Sequence, residues 1–348
     1  MNTLKNIPSL DLAKFLCALL ILFYHYFSEQ SNPIPWVLEE SLSLYAVAVA
    51  LFMAISGFRV YRKLSILTTR TERWLYIRKQ IGRILLIYGL WSIPYLIFNI
   101  SRWDVDEINL SFVVWQIQGW LFKSTFYTIW FMPSLALGLL LSFVVSEYMP
   151  LVLAYIIAFI LFCTGSMTLT YACVGNGLFD NWQYFCKFSE TWLGGPRGWL
   201  FYGFPFVMLG RYIAYRQCKS SWILYFSAAC CSVGLIIAEA LLLRKMAHTH
   251  TGIDMTLMMI PAIFFIICFL INFTLPSGMY APWMRKMSVC IFMSQRLFLT
   301  AIPALLPAGF LVFNSAWHGA FVICGSTLIF SIILIWSGEK IQLIRRLY

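Results

Sequence analysis

Apolar residues dominate this chain in long runs rather than in short periods. Ten stretches come near the roughly 20 apolar residues that a bilayer core demands: Leu10 to Phe27, Leu42 to Tyr61, Ile81 to Ile100, Tyr127 to Ser146, Leu151 to Thr170, Gly198 to Tyr215, Trp222 to Leu243, Met255 to Phe273, Met287 to Leu305 and Ala316 to Trp336. The pattern predicts about ten transmembrane helices. Ile108 to Phe122 also alternates apolar residues, but with Gln116 and Gln118 it is too short and polar to span, and it is expected at the interface or packed as a lid. The span count is then even, so both ends lie on one side.

The basic residues say which side. Loops on the amino-terminal side hold Lys5, eight residues from Arg59 to Arg83, Arg211, Arg216, Lys219, Arg285, Lys286, Lys340, Arg345 and Arg346, which is 17 of the 25 Lys and Arg. The opposite loops hold Arg102, Lys123, Lys187, Arg197, Arg244 and Lys245. By the positive-inside rule both termini are cytoplasmic. The net charge of +11 would suggest nucleic acid in a soluble protein, but here it sets orientation, and no nucleic-acid partner is expected. Composition agrees: the chain is 61% hydrophobic and 11% charged, where soluble domains run near roughly a quarter charged. The fold class is all-α, a polytopic membrane protein forming one domain over residues 1–348. The first run is long and carries Asp11, Lys14 and His25, which suits a retained span rather than a cleaved signal peptide.

The helix from Ser9 to His25 is the one with chemistry along it. Lys14 and His25 stand eleven residues apart, about 1100° of rotation and roughly 16 Å of rise, so both project from nearly the same face. A histidine in a span is a functional candidate, because an ionisable group in hydrocarbon needs a partner or a water-filled cavity. A neutral imidazole there suits a general base taking a proton from a hydroxyl; the alternative is a packed histidine bonded to a neighbouring helix. Glu239, well inside a late span, needs a partner too; Arg296 is a candidate, and a structural pair is the expectation. His318 reads as structural. His248 and His250 read as a solvated pair, no CxxC spacing occurs, and no metal site is expected. Cys173 and Cys186 share the longest outer loop, Tyr171 to Pro196, and could pair in an oxidising compartment.

Residue by residue, the chain resembles the type-3 acyltransferase family of bacterial membrane proteins, which O-acetylate surface sugars. Asp11, Lys14 and His25 in LDLAKFLCALLILFYH match its opening motif. Ser56, Gly57 and Phe58 match the element that ends its second helix. YIRKQIGRILLIY matches its basic entry to the third helix, Trp130 and Phe131 its fourth-helix signature, and FYGFPFVMLG preceded by Arg197 its sixth-helix pattern. Three positions depart: Gln80 replaces the partner arginine of Arg83, while Thr128 and Gln295 stand where many members have histidine.

The resemblance implies an O-acyltransferase with His25, Lys14 and Asp11 as catalytic residues and cytoplasmic acetyl-CoA or another acyl-CoA as donor substrate rather than a resident cofactor. The acceptor is a glycan or lipid-linked sugar, the other partner is membrane lipid, and the location is the inner (plasma) membrane. Arg78, Lys79 and Arg83, with Arg83 expected deepest, fit the phosphates of coenzyme A. Gly57 would let a thin chain pass, Ser56 would offer a hydrogen bond, and Trp130 would line the donor path. The plain alternatives are topology charges for the basic residues, close helix packing for Ser56 and Gly57 and an interface anchor for Trp130. Two other functions compete: a transporter on the same scaffold, which an inverted repeat would favour, and a non-catalytic partner of polysaccharide machinery. No esterase-like domain is expected after the tenth span.

Overall fold

The computed structural model describes residues 6–28, 44–101, 103, 108–124, 129–172, 181–216, 218–247, 254–276, 278, 280–305 and 316–348. Among them are twelve α-helices and no strand. In chain order these are α1 (Pro8–Phe27), α2 (Tyr45–Leu64), α3 (Arg70–Ile100), α4 (Leu110–Phe122), α5 (Phe131–Tyr148), α6 (Leu151–Thr168), α7 (Trp182–Trp192), α8 (Phe204–Arg216), α9 (Trp222–Ala247), α10 (Met259–Asn272), α11 (Tyr280–Leu305) and α12 (Ala316–Lys340). A five-residue π-helix, Trp199–Gly203, leads into α8. Seven of the helices, α1, α2, α3, α5, α6, α9 and α12, are long and apolar enough to cross a membrane. Three further predicted spans coincide with less regular elements. The π-helix and α8 share one, α10 is shorter at 14 residues, and α11 carries Arg285, Lys286 and Arg296.

Chain contacts divide the fold into two compact units, Met1–Val49 with Phe273–Tyr348, and Ala50–Asn272. In the first, α1 packs on α11 and α12, and α11 on α12. Tyr26 and Phe27 from α1 meet Leu299 from α11 and Ala320 and Ile323 from α12 in one buried cluster. Beyond α12, a 3-10 turn (Ile344–Leu347) brings Tyr348 back, where its hydroxyl donates to the Ile335 carbonyl at 3.2 Å.

In the second unit α3 begins with a reciprocal cap. Thr69 Oγ1 accepts from the Glu72 N–H at 3.2 Å and Glu72 Oε2 accepts from the Thr69 N–H at 3.3 Å, which satisfies two of the donors that a helix start leaves open. The 31 residues of α3 rise about 46 Å, more than the roughly 30 Å hydrocarbon core, so part of it stands outside. Its apolar residues Leu85, Leu86, Ile93 and Ile97 are exposed, as lipid-facing positions are. The 13-residue α4 is apolar despite its two glutamines, and it is its length that keeps it from crossing; it is tied down by Tyr88, whose hydroxyl donates to the Trp120 carbonyl, and by Gln118 Nε2 donating to the Thr191 carbonyl at 2.8 Å.

Two features depart from the sequence reading. The stretch Tyr171 to Pro196, read as a loop, contains the 11-residue α7. Phe185 lays its ring edge-on against Phe201 of the π-helix, and Gly194 and Gly195, both at positive φ, turn the chain back beyond it. The predicted span from Met255 does not become helical until Met259. Its lead-in is buried, with Met255 and Thr256 at 0% exposure, and its backbone donors find internal acceptors. The Met255 N–H donates to Thr170 Oγ1 at 2.9 Å, and the Leu257 and Met258 N–H groups donate to the Glu239 carboxylate at 2.7 and 3.0 Å. The Tyr171 hydroxyl donates to the same carboxylate. Glu239 is therefore the structural group foreseen, but the proposed Arg296 partnership is corrected: the carboxylate caps the start of α10.

Candidate active site

Pro8 opens α1, where its missing N–H costs nothing. Asp11 follows within the first turn and is fully buried. A carboxylate in that position needs a charged partner, and Arg285 of α11 supplies a fork. Arg285 Nε donates to Asp11 Oδ1 and Nη2 to Oδ2, both at 2.9 Å. Nη2 also donates to Asn6 Oδ1 at 2.9 Å. Arg285 is 45% exposed while Asp11 is closed off, so the charge is delivered from the rim. A bidentate, charge-assisted pair fixes orientation as well as distance, which pins the start of α1 to α11. Lys14 is only three residues from Asp11 in the sequence, whereas Arg285 lies 274 residues away and no local pattern could have named it.

Lys14 is half-buried one turn further on, and His25 is half-buried in the last turn of α1. Aromatic rings stand beside that histidine. Tyr24 stacks on Tyr45, the first residue of α2, with centroids 3.6 Å apart, and the imidazole lies edge-on to Tyr24 at 5.4 Å and tilted to Tyr45 at 6.3 Å. A neutral imidazole in this setting offers one donor and one acceptor nitrogen, the equipment a general base needs. In the same unit Gln295 of α11 is fully buried, and neither its amide oxygen nor its nitrogen has a hydrogen-bond partner among the described residues.

The remaining predicted residues belong to the second unit. Gly57 sits where a Cβ would come within 2.5 Å of the Val207 carbonyl oxygen and 2.9 Å of its Cα, and a Cβ on Gly210 would strike the Ala54 carbonyl oxygen. α2 and α8 thus touch backbone to backbone. Ser56 is half-buried and its Oγ donates to the Phe52 carbonyl one turn earlier at 2.7 Å. The packing role of this element is visible directly. Trp130 precedes α5 and meets Tyr202 of the π-helix edge-on at 5.7 Å, while Phe131 meets Phe52 of α2 at 5.8 Å.

Arg78, Lys79 and Arg83 are all exposed on α3, and Gln80 is half-buried. Arg83, expected deepest, lies furthest along α3 of the three. None of the three basic side chains forms a hydrogen bond or ion pair with a described residue, unlike Arg73 on the same helix, which pairs with Glu147 of α5 at 2.5 Å. Arg197, flagged in the sequence, is paired with Asp254, a partner that sequence reasoning missed. Thr128, Cys173, His248 and His250 lie outside the described residues. His318 is exposed on α12.

Helices long and apolar enough to cross a membrane, together with a histidine and a forked ion pair on the first of them, define a multi-pass membrane protein with a polar seam inside its bundle. The model of the acyltransferase domain matches residues 7–336, nearly the whole chain, and the chain belongs to the type-3 acyltransferase family. It is an acyltransferase. No curated protein and no solved structure matches it.

Proposed function

We propose that this protein moves an acyl group, with acetyl as the first candidate, from cytoplasmic acyl-CoA to a hydroxyl of a cell-surface glycan or lipid-linked sugar. The chain crosses the inner (plasma) membrane ten times, with both termini in the cytoplasm. His25 takes the proton of the acceptor hydroxyl as the oxygen attacks the thioester carbonyl, and coenzyme A leaves as its thiol. The observation that carries this reading is His25 at the end of a helix whose other end is pinned by the Asp11–Arg285 fork, in a chain of the acyltransferase family. Asp11 then positions α1 rather than touching substrate. The exposed row Arg78, Lys79 and Arg83, with no described counter-ion, suits the donor's phosphates, because guanidinium binds phosphate through forked hydrogen bonds. Ser56, Gly57 and Trp130 serve that path as walls.

The test is acyl transfer by purified protein given acetyl-CoA and a panel of glycans and lipid-linked sugars, followed by release of free coenzyme A thiol and by mass of the product. Thiol release that depends on an added acceptor is expected. A well-folded protein that neither releases thiol nor acylates any acceptor would return the scaffold to the transporter reading.

A further inference from the structure

Arg211 is an anomaly in the second unit. It is 4% exposed, yet it forms no ion pair with any described carboxylate. A buried cation without an acid is costly. What surrounds it is aromatic: the guanidinium carbon lies 4.7 Å from the Tyr215 ring centroid, 5.2 Å from that of Tyr61 and 5.8 Å from that of Tyr155. The π-faces of these rings offset part of the charge. Nη1 donates to the Tyr155 hydroxyl oxygen at 2.6 Å, and Nε is buried with no acceptor. A cationic donor is left with capacity to spare.

Tyr155 connects this charge to open space. It lines an apolar groove of about 220 Å³, together with Phe159 of α6, Pro205, Leu209 and Tyr212 of α8 and Ile260 of α10. Because the Tyr155 oxygen already accepts from Arg211, its own O–H remains to donate, and a phenolic hydroxyl has one proton to give. From Pro205 to Tyr212 the groove follows seven residues of helix, about 10 Å of rise, or two thirds of one leaflet of a roughly 30 Å core.

The polar end has the placement of a headgroup. Tyr155 is in the first turns of α6 and Arg211 is near the end of α8, with Tyr212 and Tyr215 exposed beside it at 36% and 44%. Tyrosines gather at the membrane–water boundary. Apolar side chains line the groove, and a positive charge with no described counter-ion stands with a hydrogen-bond donor at its mouth.

We propose that the groove between α6, α8 and α10 is a binding site for a membrane phospholipid of net negative charge. An acyl chain lies against Phe159, Leu209 and Ile260, a phosphate oxygen accepts the Tyr155 O–H, and the Arg211 guanidinium behind it supplies the countercharge. A zwitterionic lipid would fill the groove equally well but bring a second cation to a mouth where no described residue supplies an acid to meet it, so net charge decides the selection. This site is independent of the transferase reading, since none of its residues was assigned to donor, acceptor or proton transfer.

The experiment uses the full-length protein, delipidated in neutral detergent and titrated separately with phosphatidylglycerol and with phosphatidylcholine of the same acyl chains. Melting temperature and lipid retained in native mass spectrometry are the readouts. Phosphatidylglycerol should be retained about tenfold more tightly, a difference of about 1.4 kcal/mol, and should raise the melting temperature. Leu209→Trp fills the groove without touching the charge and should lose both lipids. Arg211→Met should hold both equally. Should Arg211→Met fail to fold, Tyr155→Phe keeps the ring, removes the donor to the phosphate that both lipids share and should weaken retention of both. Equal retention of the two lipids by the wild type, or undiminished retention of phosphatidylglycerol in Leu209→Trp and Tyr155→Phe, overturns the proposal. So does equal stabilisation by inorganic phosphate alone, which would make this a free-anion site.

Discussion

The α1–α11 seam and the α2–α8 seam join helices by opposite means. The first uses charge: a buried carboxylate gripped at both oxygens by a half-exposed arginine. The second uses the absence of side chains, with Gly57 and Gly210 letting two backbones meet. A charged fork sets angle and register but tolerates a wetter rim, and it can be broken by a change of a single atom. A glycine seam gains its stability from dispersion over many close atoms and fails only when something is added. Both seams lie on motif residues by which the chain resembles its family, so the same motif list mixes two kinds of mechanical part with the chemistry itself.

Substitutions separate these roles. The largest effect is expected at His25, because a general base contributes about 10² to 10⁴ in rate. His25→Ala and His25→Asn should both lose that factor in acyl transfer while melting within a few degrees of the wild type; asparagine cannot take up the proton near neutral pH. If His25→Asn folds and transfers normally, α1 is a packing helix and its fork has nothing to present.

The glycine seam comes next. Gly57→Val places carbon where the Val207 carbonyl now stands, and overpacking of this kind costs about 1–3 kcal/mol or more. The expected outcome is a lowered melting temperature with donor binding lost in step. A variant that keeps its stability but loses donor binding alone would instead make Gly57 a passage. Asp11→Asn follows: it keeps the shape, removes the charge and turns one acceptor into a donor facing Arg285. Loss of a charge-assisted hydrogen bond is worth about 1.5–3 kcal/mol, discounted here because Arg285 is open to solvent. Partial rescue by the charge-reversing pair Asp11→Arg with Arg285→Asp would confirm that the fork, not a proton on Asp11, is what matters.

The smallest effect is expected at Arg83, which is exposed. Arg83→Ala should weaken acyl-CoA binding several-fold without change in melting temperature, and added salt should mimic part of the loss, since exposed charges are screened within about 10 Å at 0.1 M. Unchanged affinity, measured by calorimetry, leaves Arg83 as a topology charge.

The long helices were legible because lipid imposes a length and a composition that soluble folds do not. All ten apolar runs contain helix, and Ile108 to Phe122 became the short α4. What escaped was everything set by a partner far along the chain. Asp11 was singled out, yet nothing near it names Arg285. Glu239 was expected to seek an arginine and instead serves two backbone N–H groups, which are present at every residue and therefore invisible as a signal. Arg211 was counted among loop charges that set topology, because sequence position near Arg216 and Lys219 resembles a cytoplasmic loop; burial among three tyrosines could not be read from that neighbourhood. The amphipathic α7 was hidden inside a run too short and polar to stand out beside the spans.

The cap on α10 bears on how the chain enters the membrane in the first place. Glu239 lies eight residues before the end of α9 at Ala247, about 12 Å along the axis, so the backbone of Leu257 and Met258 is met well below that end. A helix of 14 residues reaches about 21 Å, short of the roughly 30 Å hydrocarbon thickness, and its lead-in N–H groups take the Glu239 carboxylate as their acceptor. α10 on its own is thus a poor candidate for insertion during synthesis, whereas α9 arrives first and brings the missing acceptors with it. The two should leave the translocation machinery as one hairpin, with α9 acting as an internal chaperone for the helix that follows it.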